Sequence, residues 1–418
     1  MPAKLLFNQL VYSSIDSLKK DGHPIIIVAA VKESQAVLNS CRYHGINVVS
    51  FCDSIRDKCS QTFCELPVLH TPSLREHYKN ARFIIASQHI QDCIEQLVEL
   101  GYSEFYSPLE LLQGYDVSQH EHIVSDSYME ARLRVCINSH EMYRQGASKL
   151  YMRSLDVMVT TKCTLRCENC CNLMPYYESH SPFSASSILQ AINNLSKNVD
   201  LVSEFRLIGG EPFLNKDWAN IASGISDAYP DQEIFVYTNG TICPQEDDFA
   251  RIAGRKVNII ITSYGELSRR LNRLEQLLDK YSLNYVTTPA EHWVDCSSIK
   301  HHKRTPERLK EVFKECCVKY LYTLLHGKLY RCPFIANAAN LNAIPDNPLN
   351  YVNLTGSTRD LRESLGRFIN SAKFFPGCDY CDGRPYDATG FKGYDGKGMV
   401  VAGVQAKGLL PYKSYATS

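Results

Sequence analysis

Seventeen cysteines in a chain of 418 residues are the side chains with the most chemistry to offer. Three of them fall within eight positions, Cys163-Thr-Leu-Arg-Cys167-Glu-Asn-Cys170, a C-x3-C-x2-C loop. Thiolates at this spacing can each take one iron of a [4Fe-4S] cube while the short spacers fold the backbone around one corner. The fourth iron then has no protein ligand and stays open to a small molecule, the feature that separates catalytic metal sites from closed ones. Zinc is the poorer fit, because structural zinc takes four ligands, commonly from paired C-x2-C knuckles, and three cysteines alone do not close a tetrahedron. Cys171, directly after Cys170, is expected to stay out of the ligand set, since adjacent side chains do not easily reach neighbouring irons of one cube.

The loop has to be held by rigid elements, and the sequence supplies them. Leu155-Asp-Val-Met-Val-Thr-Thr161 reads as a strand running straight into it. After it come a helix over 184–197, the strand Glu204–Gly210, a helix over 218–229, the strand Glu233–Gly240, a helix near 246–253, the strand Val257–Ser263, a helix over 266–280 and the strand Leu283–Thr288. Five βα-type units predict a parallel barrel or partial barrel whose chemistry lies on loops at the C-terminal ends of its strands. Upstream, Pro24–Ala30, Ile46–Cys52 and Arg82–Ser87 read as strands alternating with helices over 32–43, 74–79 and 91–100, the pattern of a small Rossmann-like α/β module. That module has no G-x-G-x-x-G turn, because Ala29-Ala30-Val31-Lys32-Glu33-Ser34 follows its first strand; Asp53 stands where a ribose-binding acid often falls.

The predicted organisation is a Rossmann-like module over 1–115, a linker with a helix over 116–153, the barrel over 154–300, a Cys-rich region over 301–390 and a Gly-rich tail over 391–418. The basic run Lys300-His-His-Lys-Arg304 is expected to be a solvated loop. Lys+Arg and Asp+Glu balance at 45 each, which argues against a polybasic nucleic-acid binder and against a disordered chain. The longest apolar run, Ile25–Val31, is far too short to span a bilayer, and the N-terminus reads as carrying no export signal, so the expected location is the cytoplasm.

On the cysteine loop and its position after the first barrel strand, the chain resembles the radical S-adenosylmethionine (SAM) enzymes over about residues 153–385. The resemblance implies a partial (βα)6 barrel and a [4Fe-4S] cluster on Cys163, Cys167 and Cys170. SAM would chelate the open iron and be cleaved by one electron to methionine and a 5′-deoxyadenosyl radical that abstracts a substrate hydrogen atom. Flavodoxin or ferredoxin would supply the electron. Leu207-Ile-Gly209-Gly210-Glu211-Pro-Phe213 resembles the family's GGEP motif, which contacts the amino group of SAM, with Glu211 as a charge-assisted acceptor. Asn239 and Ser263, at the ends of the third and fourth strands, match positions where the family holds the ribose and carboxylate. Asn169 stands where an aromatic residue often packs on the adenine.

The Cys-rich region resembles the family's twitch or SPASM-like auxiliary domain. The resemblance implies a second, fully ligated [4Fe-4S] cluster on Cys332, Cys378, Cys381 and one of Cys316 and Cys317, with zinc on the same four thiolates as the alternative. Cys243 and Cys296, just past barrel strands, are candidate hydrogen-atom donors, though a bland buried role is the simpler reading; Cys41, Cys52, Cys59, Cys64, Cys93 and Cys136 read as buried or incidental thiols. Relatives with one auxiliary cluster include sugar and aminocyclitol dehydrogenases and epimerases. The N-terminal module is similar to the nucleotide-sugar-facing module of some sugar acyltransferases, including a Leu66-Pro-Val-Leu69 turn. A sugar or nucleotide-sugar substrate in surface polysaccharide synthesis is the implied reading. The alternatives are a maturase of a ribosomal peptide and a non-catalytic iron-sulfur or zinc scaffold.

Overall fold

The structure, a computed structural model, describes residues 10–20, 22–59, 61–146, 149–355, 360–370, 373–388 and 394–416; Gly390, where the Gly-rich tail was expected to begin, lies outside them. It divides into two compact units, Met1–Lys149 and Leu150–Ser418.

The first unit is a seven-stranded sheet among the described residues: β1 (Leu10–Val11), β2 (Ile25–Val28), β3 (Val48–Asp53), β4 (Thr62–Phe63), β5 (Leu66–His70), β6 (Arg82–Ile85) and β7 (Phe105–Tyr106), in the order β1-β7-β6-β2-β3-β5-β4. All neighbours are parallel except β4 with β5. Every residue of β2 and β6 is buried, as the apolar runs Ile25–Val28 and Phe83–Ile85 require of strands covered on both faces. The order reverses between β2 and β6, which is the Rossmann-like switch point.

Three expectations change here. Leu66–Leu69 is strand, not turn, and Pro67 is tolerated because β5 is a short strand near the sheet edge. The segment expected to link the modules carries the helix Asp126–Arg144, which buries Met129 and Leu133 in the same core as Val37 and Leu38. It also places Arg132 against the buried Glu33 (2.8 Å), so it is an integral layer of the first unit. The Asp53 carboxylate, buried, accepts from the Ala30 amide (3.0 Å), the Ile55 amide (2.9 Å) and Lys58 Nζ (3.1 Å), so it is engaged in holding its own turn.

The second unit is built on β8 (Tyr151–Thr160), β9 (Leu201–Gly209), β10 (Glu233–Thr238), β11 (Val257–Ser263), β12 (Asn284–Pro289), β13 (His292–Val294), β14 (Leu321–Leu325), β15 (Lys328–Tyr330), β16 (Tyr351–Asn353) and β17 (Met399–Val401). Eight of them form one sheet in the order β12-β11-β10-β9-β8-β14-β15-β16, parallel from β12 through β14 and antiparallel beyond. This is the α/β class with the six-stranded parallel core of a partial barrel. Its first five strands follow chain order, and the sixth parallel strand, β14, returns beside β8. The helices Ala185–Ser196, Trp218–Ala228, Glu246–Ile252 and Leu271–Lys280 connect the first five strands. Their apolar residues, among them Ile188, Ile192, Leu274 and Leu278, pack into one core with the strands. That core runs on without a break to Phe334, Ile335, Phe368 and Phe375, so the barrel and the Cys-rich region are one folded body.

The C-terminal segment is not a free tail: β17 pairs antiparallel with β13, with Trp293 opposite Val400. Among the described residues no helix is long and apolar enough to cross a membrane.

Candidate metal centres

β8 ends at Thr160 and the chain turns directly into the cysteine loop. The end of β9 lies against this loop: the Gly210 amide donates to the Thr160 carbonyl (3.1 Å) and the Glu211 amide to the Lys162 carbonyl (2.8 Å). A Cβ on Gly209 would overlap the Thr160 carbonyl oxygen, and one on Gly210 would overlap the Lys162 carbonyl. Glycine at both positions is what lets the two segments approach. From the end of β10, Asn239 Nδ2 donates to Thr164 Oγ1 (3.2 Å) and lies 3.7 Å from Cys163 Sγ.

Glu211 joins these pieces. Its carboxylate, fully buried, accepts from the Thr238 hydroxyl (2.8 Å), the Asn239 amide (2.8 Å) and the Phe213 amide (3.2 Å). Burial pushes its pKa up to about 7, against the pull of those three donors. Asn169 sits at φ +60°, a left-handed conformation that Asn tolerates far better than an aromatic residue does, which accounts for Asn at this position. Ser263 ends β11 with its carbonyl accepting from the Ala290 amide (2.8 Å). The hydroxyl that reaches the loop network is that of Ser268, which donates to the Asn239 carbonyl (2.6 Å) and accepts from the Tyr264 amide (2.8 Å). Nothing in the local sequence marks Ser268.

Burial pushes the Cys163 thiol up to about 12 and also raises Cys167 and Cys170, so a metal forms the thiolates by displacing protons. The Leu165 amide points at Cys163 Sγ (3.5 Å). The donor set therefore fits an iron-sulfur corner: three soft sulfur ligands on one loop, with backbone and carboxamide N–H groups around them.

The second set of cysteines comes from separate elements. Cys316 follows the helix Pro306–Glu315, Cys332 caps the helix Pro333–Asn340, Cys378 lies in the 3₁₀ turn Pro376–Tyr380 and Cys381 ends it. All four line one cavity with apolar walls that include Val312, Phe313, Phe334 and Ile335; of the vicinal pair it is Cys316, not Cys317, that faces it. The Ile335 amide donates to Cys332 Sγ (3.5 Å) and the Gly383 amide to Cys381 Sγ (3.4 Å). Burial pushes Cys332 up to about 11 and Cys378 to about 12. Four thiols around one enclosed space fit the donor set of a fully ligated cluster; zinc would accept the same donors, but among the described residues no three or more Cys, His, Asp or Glu side chains are gathered closely enough to hold a single metal ion.

Cys171 and Cys296 lie on the wall of this same cavity together with Arg384, and Cys296 is buried there. Cys243 lines an open groove with Thr241, Pro244, Arg270 and Arg273.

The basic run is a loop that is solvated only in part: Lys300, His301 and Lys303 are exposed, while Arg304 and His302 turn inward. The Arg304 side chain is only 5% exposed, and its Nη1 donates to the carbonyls of Cys378 (2.9 Å) and Cys381 (2.8 Å). The Lys300 and His302 amides donate to the Tyr380 and Asp379 carbonyls (3.2 and 2.9 Å), and buried His302 lies between Asp382 (3.3 Å) and Asp395 (3.4 Å). The run is basic because it clamps the carbonyl-rich, acidic turn of Cys378–Cys381.

Comparison with known proteins places this geometry. Residues 157–331 match the radical SAM superfamily. The chain is 29% identical over 150 residues to molybdenum cofactor biosynthesis protein moc-5 of Caenorhabditis elegans, covering 33% of this chain and 25% of that protein. It is 29% identical over 129 residues to GTP 3′,8-cyclase of Rhodococcus opacus, covering 30% and 36%. The matched region thus spans about a quarter to a third of these curated relatives. Among solved structures, BtrN with AdoMet and 2-DOIA aligns at 15% identity and TM-score 0.36, covering 56% of this chain and 94% of that one. AnSMEcpe with AdoMet aligns at 13% and 0.38, covering 53% and 82%. The likeness to the radical SAM superfamily, whose cofactors are a [4Fe-4S] cluster and SAM, thus covers residues 157–331.

Proposed function

We propose that the protein is a radical SAM enzyme in which Cys163, Cys167 and Cys170 hold the catalytic [4Fe-4S] cluster. The observation that carries this is the cysteine loop itself, pinned at the C-terminal end of β8 by the glycine-mediated approach of β9 and by Asn239. With SAM on the open iron, such a cluster supplies one-electron cleavage to methionine and a 5′-deoxyadenosyl radical, which takes a hydrogen atom from the substrate. Gly209 and Gly210 set the backbone against the loop; the Gly209 carbonyl accepts from Asn172 Nδ2 (2.9 Å), and that of Gly210 is the one offered to the amine of SAM. Glu211 fixes the Thr238-Asn239 segment through three hydrogen bonds, and Asn239 orients the loop at Cys163. Asn169 and Ser263 complete the SAM contacts. Cys316, Cys332, Cys378 and Cys381 hold an auxiliary [4Fe-4S] cluster, clamped by Arg304.

The substrate class we favour is a sugar or nucleotide sugar, oxidised, dehydrated or epimerised at one carbon. The resemblance to enzymes with one auxiliary cluster and the Rossmann-like first unit support it. The electron comes from a flavodoxin or ferredoxin, and the enzyme works in the cytoplasm. The names of the curated relatives support a second reading, a guanosine nucleotide as substrate.

Anaerobically reconstituted protein given reductant and SAM is expected to release 5′-deoxyadenosine, and Cys167→Ala to reduce this to background. Undiminished release from the variant would refute the assignment. Raised 5′-deoxyadenosine release with nucleotide sugars but not with GTP separates the two substrate readings.

A further inference from the structure

The C-terminal segment returns to the cysteine loop and lies along it. The Glu168 amide donates to the Val404 carbonyl (2.6 Å), the Ala406 amide to the Arg166 carbonyl (2.7 Å), and Cys167 faces Gln405 as an antiparallel bridge pair. Gln405 uses both ends of its carboxamide: Oε1 accepts from the Arg166 amide (2.7 Å), while Nε2 donates to Cys167 Sγ (3.4 Å) and to the Gly403 carbonyl (2.7 Å).

The strap is anchored on either side of this contact. Before it, β17 pairs with β13; after it, the Leu410 amide donates to the Pro175 carbonyl (3.0 Å) and the Tyr412 hydroxyl to the Leu341 carbonyl (3.2 Å). Gly403, at φ +79°, turns the strap under Tyr264, whose Cδ1 would lie 2.5 Å from any Cβ there. These contacts fix the position of Gln405 from outside the barrel, more than 230 residues along the chain from the cysteine it touches.

Of the three loop thiols, Cys163 has the Leu165 amide and Asn239 beside it, and Cys167 has the Gln405 carboxamide. An N–H donated to an iron-bound sulfur stabilises the added negative charge of the reduced cluster more than the oxidised one, and so raises the reduction potential. The same side chain, through the Arg166 amide, holds the middle of the loop.

We infer that Gln405 is a positioning residue for the catalytic cluster. Its carboxamide holds the Cys163–Cys170 loop and, by donating to Cys167 Sγ, makes that cluster easier to reduce. This rests on the assignment of Cys167 as a cluster ligand. The isosteric Gln405→Glu keeps an acceptor for the Arg166 amide but puts a carboxylate oxygen in place of the N–H at sulfur; Gln405→Leu removes both contacts.

The test is an EPR-monitored redox titration of the full-length reconstituted protein and both variants, with iron measured in each. Both variants are expected to show the SAM-responsive cluster about tenfold harder to reduce, a shift of about 59 mV to more negative potential for a one-electron couple, with the auxiliary cluster unmoved. An unmoved catalytic midpoint at full iron content, or equal shifts in both clusters, would overturn the inference. If a variant loads no catalytic cluster, hydrogen exchange over residues 163–170 decides: faster exchange in Gln405→Leu than in Gln405→Glu upholds the positioning role, and equal exchange overturns it. A wild-type chain that takes up no iron on Cys163, Cys167 and Cys170 would instead sink the function proposed above.

Discussion

The two cysteine centres solve opposite problems with the same side chain. The first draws three thiols from one eight-residue loop and, in the assignment proposed above, would leave a ligand position open. The second draws four from a helix end, a helix cap and a turn, and encloses them in an apolar cavity. The loop's own short spacers bring its three thiols together, and the barrel need only hold the loop in place. At the second centre the fold has to do the gathering, so its integrity and that of the core are one matter: Phe334, Ile335 and Phe375 belong to the hydrophobic core of the whole second unit. An open, local centre suits chemistry on a bound small molecule, and a closed, dispersed one suits electron transfer or stabilisation.

Perturbing each centre separately should break this contrast if it is wrong. The largest effect is expected from Cys332→Ala, which removes a ligand of the closed centre: iron should fall from about eight to about four per chain. The melting temperature should fall with it, because the cavity loses what fills it, whereas Cys167→Ala should lose a similar amount of iron with little change in melting. Equal destabilisation by the two variants would erase the distinction.

Next in size, Arg304→Gln should destabilise the protein by about 2 kcal/mol or more in urea unfolding. It leaves the Cys378 and Cys381 carbonyls short of a charged donor in a buried setting.

A further effect concerns pH. Glu211 has an ordinary carboxyl value of 4.5, raised to about 7 in the fold. Between these values the folded chain holds the proton and the unfolded chain does not. Wild-type stability should therefore fall as pH rises from about 4.5 to 7, and Glu211→Gln should lack that component of the slope. Identical pH slopes for the two proteins would show that Glu211 ionises freely.

The same contrast explains what could be read from the chain. The C-x3-C-x2-C loop was legible because its three cysteines, and the strand that carries them, are contiguous; the βα alternation was legible because buried parallel strands leave apolar runs such as Ile25–Val28 and Ile259–Ile261. Contacts made across long separations were not. A basic run followed at distance by C-x2-C does not announce that Arg304 will cap the turn, and the Gly-rich appearance of the C-terminus hid a strap that carries Gln405 to Cys167. Cys316 and Cys317 are equivalent in sequence; the antiparallel bridge of Cys316 with Pro385 and the bond from the Cys317 amide to the Arg384 carbonyl are what turn the first, not the second, toward the cavity. The linker reading of 116–153 failed for a related reason, since the helix Asp126–Arg144, taken whole, is polar enough to pass for surface although it buries Met129 and Leu133.

The central claim, that one of the two centres keeps an open iron for SAM, is tested most directly by EPR of the dithionite-reduced, fully reconstituted protein with and without SAM. The expected result is that SAM changes the signal of one cluster and leaves the other untouched, and that Cys167→Ala abolishes the responsive signal alone. A spectrum indifferent to SAM, or a SAM response that survives in Cys167→Ala, would contradict it.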